Sequence, residues 1–203
     1  MGLDACTRQR ELRRMRRLAL ALVHHPVLDR QGAVVTSAIT NLDVHDLSRS
    51  ARTYGATDLF VTSPIEAQRA LVSTILGHWA HGSSGERIPS RRDALGIVRV
   101  VSSVDDAIAA LGGRPQVEIW TTAARTEAGR AKVFDDYGEA RARLNGGDPR
   151  AVLLVFGTSW GLAPSLIDES DARLPPIFGV GGYNHLSVRA ACAITLDRLI
   201  GAR

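Results

Sequence analysis

The sequence predicts an α/β domain, a parallel β-sheet with helices packed on both faces. Three observations carry this reading. Short apolar runs alternate with segments of helical periodicity along nearly the whole chain. No internal repeat, low-complexity tract or Pro/Gly-rich linker divides it. Its 203 residues, 45% hydrophobic and 23% charged, match one ordinary globular domain large enough to bury a full core.

In order, Leu18–Val23 reads as a strand ending at His24, His25 and Pro26, followed by a turn at residues 29–32. Val44–Tyr54 reads as a helix, because Val44, Leu47, Ala51 and Tyr54 recur at helical spacing. Asp58–Thr62 is a short strand, and Ile65–Ala80 a helix opened by Pro64. Residues 82–85, Gly-Ser-Ser-Gly, read as a loop. Ile97–Val101 is a strand, Val104–Leu111 a helix and Val117–Thr121 a strand. Residues 123–132 read as a loop and Tyr137–Leu144 as a helix, broken by residues 146–149. Val152–Phe156 is the most hydrophobic strand; a short helix follows Pro164, a short strand spans Ala172–Leu174, and Ser187–Ile200 closes the chain as a helix.

Composition excludes several classes. No apolar run reaches the ~18–20 residues that cross a bilayer, so no membrane partner is expected. Cys6 and Cys192 are the only cysteines, too few for a disulfide scaffold or a zinc site, and no spacing of histidines and acids makes a metal site. No signal-peptide core is evident, so a cytoplasmic setting is expected. The 25 basic and 21 acidic residues are unevenly placed. Residues 1–17 hold six arginines against Asp4 and Glu11, so residues 18–203 carry nineteen of each sign and are neutral. The organisation expected is a basic arm, 1–17, and a domain, 18–203. The arm is either a frayed start or an attractor of phosphates.

In parallel α/β sheets ligands gather at the carboxyl ends of strands. Three segments there carry chemistry. The first is AITNLDVHDLSRSARTYG, residues 38–55. Asp43 is placed to cap its helix, with Asp46 one turn on; His45, Arg49 and Arg52 share a stripe that suits an anion, or is simply a solvated face. The second is LLVFGTSWGL, residues 153–162, where glycines after a buried strand admit a ligand to the backbone or make a tight turn packed by Trp160 and Leu162. It has neither the P-loop nor the dinucleotide spacing. The third is PIFGVGGYNHLSVRAACAITLDRL, residues 176–199, a glycine-rich loop bearing Tyr183, Asn184 and His185 ahead of a helix that Ser187 can cap. His24 and His25 lie near enough to a strand end to reach such a site; His78 and His81 read as helix-end residues.

In this order the three segments resemble the SPOUT class of S-adenosyl-L-methionine (SAM)-dependent methyltransferases, most closely the small bacterial family of SAM-dependent RNA methyltransferases. The resemblance runs from about Leu18 to Gly201. It implies a C-terminal deep trefoil knot, SAM bound bent within it largely by backbone groups, and a homodimer whose active sites are completed across the interface. It implies methyl transfer to RNA, tRNA or rRNA, at ribose or base. Carried over by motif, Arg49 matches the class's arginine for catalysis and phosphate contact, supported by Arg52. Asp43 stands where ribose methylators have asparagine, Ser159 where they have glutamate, and His185 where they have a catalytic asparagine. Thr121, Thr122, Gly157, Leu162, Ile177, Gly179, Leu186 and Ser187 would frame the cofactor, and His185 or Asp43 would handle the proton. The alternative is a SAM-binding RNA-binding or sensor protein that no longer methylates, motivated by Ser159.

Overall fold

A computed structural model describes residues 16–124 and 131–201. Its strands are β1 (Leu18–Val23), β2 (Val27–Leu28), β3 (Val34–Val35), β4 (Asp58–Thr62), β5 (Val98–Val101), β6 (Val117–Thr121), β7 (Lys132–Val133), β8 (Ala151–Gly157) and β9 (Ala172–Arg173). Its helices are α1 (Asn41–Thr53), α2 (Glu66–His81), α3 (Ser83–Arg87), α4 (Pro89–Leu95), α5 (Val104–Ala110), α6 (Tyr137–Leu144), α7 (Pro164–Asp168) and α8 (Val188–Ile200). The expected strand–helix alternation is present. Seven strands form one sheet in the order β5-β4-β1-β8-β6-β9-β7, with every adjoining pair parallel.

Side chains of a strand point alternately to opposite faces, and β1 shows both faces covered. Leu18, Leu20 and Leu22 join a core with Val44 and Leu47 of α1, Leu144 of α6, and Cys192, Leu196 and Leu199 of α8. Ala19, Ala21 and Val23 join a second core with Ala107 and Ile108 of α5 and Leu166 and Ile167 of α7. All six β1 residues are buried, as are the first six of β8. These two central strands pair along their length, so their carboxyl ends, Val23 and Gly157, lie side by side.

Several local expectations change. Helix α1 starts at Asn41, and Thr40 is its N-cap; the Thr40 hydroxyl accepts from the Asp43 amide at 3.2 Å and donates to the Asp43 carboxylate at 2.6 Å. Asp43 thus belongs to the first turn, where a carboxylate is favoured by the helix dipole, and is not the cap. Residues 83–87 form a helical turn, α3, instead of a loop, and Pro89 opens α4 from the N1 position. The turn at residues 29–32 joins the antiparallel strands β2 and β3. Strand β7 takes up the end of the segment read as a loop; residues 125–130 of that loop lie outside the described residues.

Arg16 and Arg17, read with the basic arm, belong to the domain. The Arg16 amide donates to the Leu144 carbonyl at 3.2 Å, and the Arg17 carbonyl accepts from the Val152 amide at 2.8 Å. Arg16 is 5% exposed and its guanidinium lies 2.6 Å from Glu118. The rest of the arm, residues 1–15, lies outside the described residues.

Candidate active site

The carboxyl ends of β6 and β8 open onto a cavity of about 630 Å³. Its walls come from the three segments that the sequence singled out. Residues 157–162, running on from the end of β8, form one side, Thr122, Ala123 and Ala124 after β6 a second, and residues 184–188 with Ala191 and Thr195 of α8 a third. Ser37, Ala38 and Asp43 close it from the α1 side.

The turn after β8 is held tightly. The Thr158 amide and hydroxyl donate to the Val23 carbonyl at 3.2 and 3.0 Å, and Ser37 and Thr158 share a hydroxyl contact at 2.5 Å. The Trp160 amide donates to Leu28 at 3.0 Å, and the Leu28 amide donates back to Gly161 at 2.9 Å, so the β2–β3 hairpin braces the turn. Gly161 sits at φ +110°, a conformation that favours glycine. A Cβ on Gly157 would stand 2.8 Å from the Leu162 amide nitrogen and 2.9 Å from its side chain. Gly157 therefore lets Leu162 fold back as the cavity's apolar floor.

The opposite wall is equally anchored. Asn184 Nδ2 donates to the Ala124 carbonyl at 2.6 Å, joining the last loop to the segment after β6. The Ser187 hydroxyl caps α8 by accepting from the Ala190 amide at 3.2 Å. In the first turn of that helix Arg189 donates to Asp43 at 2.7 Å and lies 3.6 Å from Asp46. Asp43 is 6% exposed, and both of its oxygens are engaged, one by Arg189 and one by Thr40. Tyr137, from the start of α6, and Thr195 of α8 complete the deep end. Burial pushes the Tyr137 phenol up, while Thr195 and Arg198 oppose the shift.

Of the site residues expected from sequence, Asp43, Thr122, Gly157, Leu162, Ile177, His185, Leu186 and Ser187 line this one cavity. Thr121 points away and its hydroxyl lies 3.2 Å from that of Ser170, both buried. Gly179 is exposed in the last loop, outside the wall. Arg49 and Arg52 lie on another face of α1. Arg52 pairs with Asp93 of α4 at 3.0 Å, and Arg49 reaches Asp46 only at 3.8 Å and is mostly exposed. His45, on the same stripe, meets the edge of Trp79 at 5.5 Å; burial and the nearby Arg91 push its imidazole down. Of the three, His45 lines a separate groove between α1, α2 and α4, with Trp79 and Arg91 opposite it. His24 is fully buried beneath the strand ends, where burial lowers its proton affinity, and His25 contacts Thr36 and Val35 on the hairpin.

Sequence reasoning passed over Tyr137, which carries no local signal, and Arg189, which does. A cation in the first turn of a helix opposes the helix dipole unless an anion faces it. Asp43 is that anion.

The residues fit a bound SAM. Apolar Leu162, Ile177 and Leu186 offer a surface for an adenine ring, and Thr122, Thr158, Asn184 and Ser187 bring hydrogen-bonding groups from three separate loops. Among the described residues no cluster of metal ligands occurs.

The family profile described as SAM-dependent RNA methyltransferase matches residues 17–201. The chain belongs to this family. The chain is similar, at 43% identity over 187 residues, to a protein of Nitratidesulfovibrio vulgaris named tRNA (guanine-N(1)-)-methyltransferase. That match covers 92% of this chain and 42% of the relative, so the chain spans about two fifths of the length of that protein. A protein of Aquifex aeolicus of undescribed function is 35% identical over 184 residues, covering 89% of this chain and 86% of its own. Among solved structures, a TrmH/SpoU tRNA modifying enzyme of A. aeolicus superposes with a TM-score of 0.53 at 15% identity, covering 95% of this chain and 79% of that one. At that identity the likeness concerns the fold alone, and it agrees with the parallel α/β architecture expected from the sequence. No helix among the described residues is long and apolar enough to cross a membrane.

Proposed function

We propose that the cavity between residues 157–162 and 184–188 is the methyl-transfer centre of this methyltransferase, and that its RNA is a tRNA or rRNA in the cytoplasm. The observation carrying this is the convergence of all three motif segments on one cavity at the carboxyl ends of a parallel sheet. Bound SAM supplies an electrophilic methyl group on a sulfonium. The protein aligns the acceptor with it and accepts the proton that a hydroxyl or ring nitrogen releases. His185, which lines the cavity, is the residue assigned to accept that proton in this reading. Asp43, with both oxygens engaged, fixes α8 against α1 and contributes negative charge to the wall.

Arg49 and Arg52 face away from their own cavity. Their role in holding phosphate therefore depends on a homodimer in which α1 of one protomer reaches the RNA at the partner's cavity. Such a dimer fits the exposure of Arg49 on α1.

Calorimetry with SAM and S-adenosylhomocysteine, with ATP and NAD as controls, tests the cavity. Binding of both near one per subunit, with neither control binding, is expected. Transfer of labelled methyl to total tRNA or rRNA, followed by nucleoside analysis, then separates ribose from base. SAM binding without transfer to any RNA would replace this reading by that of a SAM-binding sensor.

A further inference from the structure

The mouth of the cavity carries three planar side chains from two loops. Trp160, in the turn after β8, is 54% exposed, Tyr183 is 80% exposed, and His185 lies between them. The His185 ring centroid is 6.5 Å from that of Trp160 and 5.2 Å from that of Tyr183, at interplanar angles of 73° and 62°. No two of these rings are stacked face to face, which leaves aromatic faces open to another planar group. Phe178 and Val180 stand exposed in the same loop as Tyr183. A concentration of exposed aromatic surface beside a ligand cavity marks a surface that a ligand covers.

The backbone beneath the rings is fixed in advance. Trp160 is held by the hydrogen bond from its amide to Leu28, and Asn184, adjoining both Tyr183 and His185, is pinned to Ala124. Charge argues for the same kind of occupant. Residues 18–203 are neutral overall, and His185 contacts both Trp160 and Tyr183 through its ring. Planar side chains of this kind are suited to the faces of bases. Bases in a duplex are stacked on one another and hide their faces, whereas unpaired bases offer them to aromatic side chains.

We propose that Trp160, His185 and Tyr183 form a stacking wall that receives an unpaired nucleobase beside the methyl acceptor and so confines the substrate to single-stranded or looped RNA. The proposal rests on the methyl-transfer reading of the cavity. It makes Trp160 and Tyr183 positioning residues for RNA, distinct from any proton-accepting role of His185.

The test uses the full chain with bound SAM and a short single-stranded oligoribonucleotide carrying 2-aminopurine, whose fluorescence is quenched on stacking. The same sequence in a duplex is the control. The wild type should quench the single-stranded probe and leave the duplex unaffected. The double variant Trp160→Ala/Tyr183→Ala should abolish the quenching and weaken binding about ten-fold or more, the scale of one lost base stack. The variant Trp160→Phe/Tyr183→Phe should restore most of both. Equal quenching and affinity in the alanine variant would overturn the wall. So would a wild-type dimer that sediments as a monomer once both residues are alanine, since a second copy would then be what covers this surface. If the wild type binds SAM but treats the two probes alike, the wall is wrong and the methyl-transfer reading stands. If it does not bind SAM, the methyl-transfer reading falls and the proposal falls with it.

Discussion

Arg189 donates to Asp43 across 2.7 Å, tying the first turn of α8 to the first turn of α1. Both helices contribute to the cavity lining, and this pair, with the longer approach of Arg189 to Asp46, sets their spacing. Replacing Arg189 by Met keeps the apolar stem and removes the charge, leaving Asp43 nearly buried with one unmatched oxygen. A charge-assisted hydrogen bond is worth about 1.5–3 kcal/mol, and the partial exposure of Arg189 places the expected loss at the lower end. Urea denaturation should show that loss. Calorimetry should show weaker SAM binding, because the α8 cap at Ser187 shifts with the helix. Unchanged SAM affinity would mean that the pair serves stability alone.

Gly157 tests the opposite wall. A methyl group there collides with the Leu162 backbone, which no side-chain rotation relieves. The Gly157→Ala variant should therefore move the apolar floor and reduce SAM affinity about ten-fold or more, while the sheet, buried beneath, keeps its far-ultraviolet circular dichroism. Equal SAM affinity in this variant would place the cofactor elsewhere.

The strands and long helices were legible because each is a continuous apolar run or a clear helical pattern. β1, β4, β6, α5 and α6 fall within a residue or so of their expected bounds. The missed strands are too short to generate a pattern. β2, β3 and β7 hold two residues each, and they form because a hairpin or a sheet edge recruits them. Helix periodicity also placed His45, Arg49 and Arg52 on one stripe correctly, yet it contains nothing about which neighbour that stripe meets. Asp93 and Trp79, far away in sequence, decided it. The same limit hid the partner of Arg189, which is 146 residues away. The wall of the cavity was legible where residues sit at strand ends and caps, as with Gly157 and Ser187. It was not legible at Thr121, whose alternation along β6 turns it toward Ser170.

Glu118 governs the other end of the sheet. It is wholly buried and accepts from Arg16 at 2.6 Å, from Arg150 and Trp120 at 3.2 Å each, and from Arg143. Burial alone would raise its carboxyl, but the hydrogen bonds and charges of Arg143 and Arg16 outweigh that and hold it below its usual value of 4.5. A carboxyl depressed by folding contributes stability that is fully present above the unfolded value and is lost as pH falls through the folded one. Glu118→Gln leaves the Arg16 charge buried without its anion, and about 3–5 kcal/mol of destabilisation at pH 7 is expected. Urea midpoints of wild type and variant should converge as the pH is lowered below about 4.5. A difference that stays constant down to acid pH would mean that packing, not charge, is what the substitution removes.

The placement of Arg16 also dictates where the basic arm ends. Deleting residues 1–17 removes the buried partner of Glu118 and should destabilise the domain, confounding any loss of RNA binding. Deleting residues 1–15 spares Arg16 and Arg17 while removing Arg8, Arg10, Arg13 and Arg14. This shorter truncation is expected to leave the urea midpoint and SAM affinity unchanged. If the four arginines each meet a phosphate of unpaired RNA, it should also flatten the dependence of log affinity on log salt by up to about 3, at ~0.7 per contact. Filter binding between about 50 and 200 mM salt measures that slope. An unchanged slope would assign phosphate contact to the folded domain, where Arg49 is the exposed candidate, and the double variant Arg49→Ala/Arg52→Ala should then carry the loss instead.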